Sequence, residues 1–264
     1  MEALKIIVSG MIDGLTGFLP VSSSGHLLML KNVFGFGEGD SIIFDLCLKL
    51  ATIIVILFAF RKDVARIIRL ESGIYVKLAL MILAATVSTG IVGLGCRSFA
   101  VYAADTVFFP GIFMILTGVM LFVTDGVKKG EVRISDAGFF EAVVIGGVQG
   151  LSVLPGLSRC GMVITTCLLL GFDRKLTWRF SFLCAVPSLI GAVILDIIDI
   201  ARFGVNDVGN TGWYILASIF AIITGYIGLV ILNQILKRRR FRILSMYCLA
   251  LGGFMLASMI VMQP

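Results

Sequence analysis

Two short stretches of this chain carry the residue types that chemistry needs. The first runs from Gly10 to His26. It holds one carboxylate, Asp13, a run of three hydroxyls, Ser22, Ser23 and Ser24, and the only histidine, His26. If this turn folds back on itself, the imidazole can take a proton from a serine hydroxyl or a water; the alternative is a hydrogen-bonded structural histidine. The second stretch runs from Gly146 to Gly161 and contains Gln149, Gly156, Ser158 and Arg159. The rigid fork of an arginine suits phosphate oxygens, and free backbone N–H groups around it form an anion nest. The competing role for Arg159 is to cap helix carbonyls or to pair with Asp13 or Asp45.

The two stretches match each other. Gly10, Gly14, Leu15 and Pro20 have counterparts in Gly146, Gly150, Leu151 and Pro155, Asp13 aligns with Gln149, and Thr16 with Ser152. A one-residue gap before the proline aligns Ser23 with Ser158. Two copies of one unusual polar loop, about 135 residues apart, indicate an internal duplication.

What positions these loops follows from composition. Of 264 residues, 59% are hydrophobic and 14% charged, whereas a soluble domain carries about 25% charge. Mean hydropathy is +1.07. This is an integral membrane protein. Its net charge of +6 sits in short loops between apolar runs, which makes it an orientation signal rather than a nucleic-acid footprint. Cys47, Cys96, Cys160, Cys167, Cys184 and Cys248 have no CxxC spacing and read as small buried hydrophobes. The start lacks the basic region and small-residue site of a cleavable signal peptide.

Six spans are expected: Ile42 to Phe60, Val76 to Leu94, Thr106 to Val123, Phe180 to Ile198 with a kink at Pro187, Trp213 to Leu236, and Ile243 to Met262. Cys96 to Asp105 reads as a connector. Residues 1–36 and 139–171 do not read as spans. Each is a short apolar run, a broken polar turn and a second short run, the pattern of a re-entrant hairpin. Such backbone is tolerated at membrane depth only inside protein or beside a wet cavity, and matched breaks in two halves mark a binding site.

Basic loops at 61–69, 128–133, 174–179 and 237–242, the last containing Lys237 to Arg240, go to the cytoplasm by the positive-inside rule. The clusters at 61–69 and 237–242 also suit anionic lipid. The connectors near 97 and 202 then lie outside, as do both termini. The first hairpin enters from outside and the second from inside. The expected fold is therefore all-α: six spanning helices plus two re-entrant hairpins in an inverted-topology repeat, with residues 1–124 as one repeat and 138–264 as the other. The hairpin tips should meet, bringing Ser23, His26, Ser158 and Arg159 together. A buried arginine there costs about 2.5–3.5 kcal/mol on insertion scales. Asp45 and Lys49, four apart on one helix face, can pair with each other, or Lys49 can face the site as a further anion contact.

The motifs resemble a known family. Leu15-Thr-x-Phe18-Leu-Pro-Val-Ser-Ser-x-Gly-His26 and Pro155-Gly-x-Ser-Arg159 are similar to the two motifs of the membrane undecaprenyl-diphosphate phosphatases, the bacitracin-resistance protein family. Phe44-Asp45, Phe60-Arg-Lys-Asp63, Gly171-Phe-Asp-Arg174 and the stretch Arg179 to Pro187 also look like its landmarks. The resemblance implies hydrolysis of a polyprenyl diphosphate lipid to its monophosphate in the bacterial inner membrane, recycling the carrier for cell-wall synthesis and conferring bacitracin resistance. It implies Ser23 as nucleophile or phosphate contact, His26 as acid/base and Arg159 with Ser158 as the diphosphate clamp. Ser22, Ser24, Gly156, Lys49 and Gln149 are expected to contact substrate. It also implies a divalent cation, Mg²⁺ or Ca²⁺, on Asp13. Here the chain departs from the family: of two acidic positions four apart, one is Asp13 and the other is Gly17. Ser158-Arg-Cys160-Gly-Met-Val163 lacks two of the family's hydroxyls, and Lys49 stands where a neutral residue is usual. Lys49 is expected to replace metal charge, unless Asp13 suffices or Asp45 helps. A non-hydrolytic polyprenyl-phosphate carrier or lipid-phosphate-binding paralogue is the alternative, and a homo-oligomer is left open.

Overall fold

The computed structural model describes residues 2–34, 41–127, 130–204 and 210–261, and among them every regular element is a helix. Chain order is α1 (Glu2–Phe18), α2 (Ser23–Phe34), α3 (Ile42–Ala59), α4 (Arg61–Ile68), α5 (Gly73–Ala104), α6 (Phe108–Gly126), α7 (Phe139–Leu151), α8 (Arg159–Leu169), α9 (Arg174–Leu183), α10 (Ala185–Phe203), α11 (Thr211–Arg238) and α12 (Phe241–Val261). Lys128, Lys129, Asp207, Met262 and the end of the first expected hairpin at residues 35–36 lie outside the described residues.

Six helical segments are long and apolar enough to cross a membrane: Ile42–Ala59, Gly73–Ala104, Phe108–Gly126, Arg174–Phe203, Thr211–Arg238 and Phe241–Met259. They are the six expected spans with shifted ends. The break between α9 and α10 falls at Cys184, three residues before Pro187, whose ring lacks an N–H and crowds the carbonyl one turn back. Two expectations are corrected. The basic loop at 61–69 is largely the amphipathic helix α4, and the connector expected from Cys96 to Asp105 is helical to Ala104 as the last turns of α5. Alanine and aromatic residues there sustain a helix well beyond bilayer thickness, since a span needs only about 20 residues.

Packing between helices rests on small residues, as it must where lipid removes most of the hydrophobic drive between helices. Helix α1 lies along α11 with Gly10 on Ala217 and Gly14 on Ala221, while the Thr224 hydroxyl donates to the Met11 carbonyl at 2.9 Å. Helix α7 lies along α5 in the same way. Gly146 sits on Ala85, Gly150 on Thr89 and Val92, and the Thr89 hydroxyl donates to the Gly146 carbonyl at 2.9 Å. Both pairs run parallel, because contact numbers rise together. Helices α6 and α12 run antiparallel, with Gly111 against Gly252 and Gly118 against Ser245.

The basic segments gather at one end of the molecule. Arg179 pairs with Asp63 of α4 at 3.4 Å, Arg174 donates to the Lys237 carbonyl at 2.6 Å, and Asp125 accepts from the backbone N–H groups of Phe241 and Arg242. Val132 bridges to Phe172. Arg97 and Asp199 pair near the ends of α5 and α10 that carry the other two connectors.

Gly14→Val places branched carbon where the Ala221 carbonyl and Thr224 hydroxyl now sit. It should lower stability in detergent by about 1–3 kcal/mol, read as denaturation midpoint. Gly90→Ala, with open space around its Cβ, should show no loss.

Candidate functional site

Each hairpin breaks its helix with a capped turn. Ser158 is the N-cap of α8, its hydroxyl oxygen accepting from the Gly161 N–H at 3.1 Å. Ser22 plays the same part for α2, accepting from the Gly25 N–H at 3.3 Å. The pairing by role is therefore Ser22 with Ser158, which corrects the alignment of Ser23 with Ser158. It places Ser23 opposite Arg159 as the first residue of each second helix. Ser22 holds a φ of 64° and Gly156 a φ of 100°, so both turns use left-handed backbone. At Gly156 a side chain is also excluded by Pro110 of α6.

The two tips touch reciprocally. Gly25 lies against Gly156, and Gly161 against Pro20. The Gly156 N–H reaches the Ser24 hydroxyl at 3.5 Å, and the Cys160 thiol donates to the Gly17 carbonyl at 3.2 Å. Thr117 of α6 stitches the second turn: its hydroxyl donates to the Gly156 carbonyl at 3.0 Å and accepts from the Ser158 N–H at 3.1 Å. Backbone that lipid could not satisfy is thus satisfied by the other tip and by α6.

The Ser23 hydroxyl lies near the Asp13 carboxylate, and Asp13 lies in the electrostatic field of Asp45, Arg159 and Lys49. A nucleophile-type hydroxyl, a carboxylate that can take its proton and two cations thus share one neighbourhood. Among the described residues Arg159 makes no hydrogen bond or ion pair with another side chain. Its charge is not consumed by the carbonyl capping or by the Asp13 or Asp45 pairing that the sequence left open. Beside the tips lies a cavity of about 200 Å³, lined by Ser9, Ser24, Asp45, Phe44 and Pro155 with Leu27, Leu28, Ala100, Ala104 and Val153. The Ser9 hydroxyl is buried there with no hydrogen-bond partner among the described residues.

Three expected contacts fall elsewhere. Lys49 donates to Asp196 of α10 at 2.6 Å, so its strongest partner is neither Asp45 nor an open anion site. Gln149 is saturated: its amide N–H₂ group reaches Ser188 at 2.7 Å and Thr89 at 3.2 Å, and its oxygen accepts from the Cys184 thiol at 3.1 Å. It clamps α7 to α5 and α10, with both amide hydrogens engaged within the protein. His26 does not bond a serine hydroxyl. Its Nδ1 meets the Ser22 carbonyl at 2.7 Å and its Nε2 the Tyr247 hydroxyl at 2.7 Å. Thr117, Asp196 and Tyr247 carried no signal in the sequence, because each reaches the site region from a distant span by its position on a helix face. All six cysteines are free, with Cys47 and Cys96 half-buried and the other four buried.

Six spans around two touching, capped helix breaks define the class: a polytopic α-helical membrane protein with a cation-bearing site between paired broken helices. Comparison with known proteins gives the family. The model for the Bacitracin resistance protein BacA family matches residues 6–254, and the chain belongs to that family. An undecaprenyl-diphosphatase of Desulfosudis oleivorans is 37% identical over 96% of this chain and 97% of its own length. Proteins of the same name from Carboxydothermus hydrogenoformans and Methanobrevibacter smithii are 33% and 31% identical, again over 96% of this chain, and over 95% and 96% of their own lengths.

If the Lys49–Asp196 pair holds α3 to α10, Lys49→Met and Asp196→Asn should each destabilise the protein. The double variant should lose less than their sum, by a coupling of about 0.5–3 kcal/mol. Strict additivity in a denaturation cycle contradicts the pairing.

Proposed function

We infer that the touching tips form a site at which this chain hydrolyses undecaprenyl diphosphate to the monophosphate and phosphate, recycling the lipid carrier for cell-wall synthesis and lowering sensitivity to bacitracin. The observation that carries this is the meeting of the Ser23 hydroxyl, the Asp13 carboxylate and Arg159, which makes no hydrogen bond or ion pair with another side chain among the described residues. The family and the curated relatives' names agree with it. Cleaving a phosphoanhydride needs charge neutralisation and an in-line nucleophile. Arg159, with the N–H groups that open α8, holds the diphosphate oxygens. Ser23 attacks the terminal phosphorus as Asp13 accepts its proton, and the monophosphate lipid leaves; a water that gives its proton to Asp13 then attacks the phosphoserine, releasing phosphate and restoring the Ser23 hydroxyl. Ser22, Ser158 and Gly156 shape the two turns, and Ser24 faces the cavity that takes the substrate. His26 acts on the proton balance of the site rather than on Ser23 directly.

A divalent cation fits in a shared way. Among the described residues no cluster of three acidic, histidine or cysteine side chains could hold a metal. Mg²⁺, however, is commonly bound by one or two carboxylates together with substrate phosphates, and Asp13 with Asp45 supplies that much. Such an ion would add charge neutralisation at the diphosphate. Space for the missing carboxylate remains: a Cβ at Gly17 would have only the Ser23 hydroxyl within 4 Å, at 3.9 Å.

In the membrane, the reading is an inverted repeat. Its support is the matching of α1 on α11 with α7 on α5, and the antiparallel meeting of α6 and α12. Sequential helices reverse direction at each turn, so α5 and α11 run oppositely, and α1 and α7 with them. The basic end faces the cytoplasm, which puts both termini outside the inner membrane. The cavity, lined by the start of α3 and the end of α5, then opens outward. Glycine at position 17 favours a second reading, a carrier of polyprenyl phosphate that binds without cleaving.

Purified protein should release phosphate from undecaprenyl diphosphate. Ser23→Ala, Asp13→Asn and Arg159→Ala should each reduce the rate by at least about 10²-fold, the scale of a lost acid–base or charge-stabilising group. Gly17→Glu should raise it and increase its dependence on Mg²⁺. No release with any divalent metal, alongside retained lipid binding, would establish the carrier instead.

A further inference from the structure

We propose that Tyr247 is a positioning residue for His26, holding the plane of its ring and controlling the one ring nitrogen able to exchange a proton. This rests on His26 taking part in the reaction inferred above.

The hydrogen-bond inventory of the ring leaves one solution. Nδ1 faces the Ser22 carbonyl at 2.7 Å. A carbonyl only accepts, so Nδ1 carries hydrogen in both the neutral and the charged ring. Neutral His26 is therefore the Nδ1–H tautomer, and its lone pair is on Nε2. The Tyr247 hydroxyl lies 2.7 Å from that nitrogen and donates to it. When Nε2 gains a proton the ring becomes imidazolium, and the Tyr247 hydroxyl turns to accept from it. When the proton leaves, the hydroxyl turns back. The tyrosine thus serves both states without itself ionising.

Two further observations assign the contact a purpose. The imidazole and phenol rings are stacked, 5.6 Å apart at 16°, so plane as well as tautomer is set. Burial also differs sharply: His26 is 5% exposed, whereas Tyr247, on α12, is 45% exposed. The hydroxyl is the link between a sealed imidazole and the surface of the helix bundle. The partners were brought together from opposite ends of the chain, and α2 and α12 meet at this place. The strained φ of 64° at Ser22 has a use in this arrangement, because it aims the Ser22 carbonyl at Nδ1. Non-glycine residues in this region are held there by their surroundings.

With one histidine in the chain, ¹⁵N-histidine labelling reports on His26 alone. In the wild-type protein the neutral ring should appear as the Nδ1–H tautomer, with Nε2 shifted upfield by an accepted hydrogen bond. Tyr247→Phe keeps the stacked ring and removes the hydroxyl. It should move Nε2 downfield and lower kcat for phosphate release about 10–100-fold, the range for lost orienting partners of a functional histidine, with KM little changed. A wild-type Nε2–H tautomer, or a Tyr247→Phe protein with unchanged Nε2 shift or unchanged kcat, overturns the proposal. The nitrogen spectra need no turnover, so they decide the Tyr247 contact even if the protein proves to be a carrier.

Discussion

A helix interrupted inside a bilayer exposes N–H and carbonyl groups that hydrocarbon cannot satisfy, at several kcal/mol each. This chain interrupts two, and the whole arrangement follows from how those interruptions are satisfied. Ser22 and Ser158 cap the helices that restart. Thr117 takes up the Gly156 carbonyl and the Ser158 N–H. The remaining contacts are made by one tip on the other, Gly25 to Gly156 and Gly161 to Pro20. The two turns meet, and the place where they meet is polar.

That shared polar place explains the distribution of charge. Arg159 opens α8 beside α1, where Asp13 feels its field, yet no carboxylate among the described residues pairs with it. Lys49, by contrast, is held by Asp196 on the next span. One cation is left for a ligand and the other is spent on packing. Intramembrane ionisable groups are rare because they cost several kcal/mol. A guanidinium at the meeting of the two tips, in the field of Asp13 but without an ion pair to a side chain among the described residues, is therefore best understood as one half of an interaction whose other half is a bound anion.

Much of this was legible in the sequence, and the reason is physical. Apolar runs of span length, basic loops and turn residues at membrane depth are strong local signals, and they placed all six spans and both breaks. The glycines that marked the duplication, Gly10, Gly14, Gly146 and Gly150, are also where α1 seats on α11 and α7 on α5. What local pattern could not give was partnership across the bundle. Lys49 and Asp45 share a helix face, which suggested a pair, but Asp196 lies nearer to hand from α10. Gln149 aligned with Asp13 and so looked functional; Thr89 of α5 and Ser188 of α10 take its amide hydrogens. His26 stood next to hydroxyls in the chain, yet its ring bonds a carbonyl four residues back and a tyrosine 221 residues on. The one-residue gap at the proline also hid which serine caps which helix, since only the cap geometry distinguishes Ser22 from Ser23.

The account stands or falls on the two broken helices entering from opposite faces. Single cysteines at Glu2 and Asp136, exposed residues just ahead of or at the start of α1 and α7, in a protein whose native cysteines are replaced, can be challenged in intact cells with a membrane-impermeant thiol reagent. Labelling from outside at position 2, with position 136 protected until the membrane is opened, is the predicted result. Labelling of both positions from the same side would contradict it.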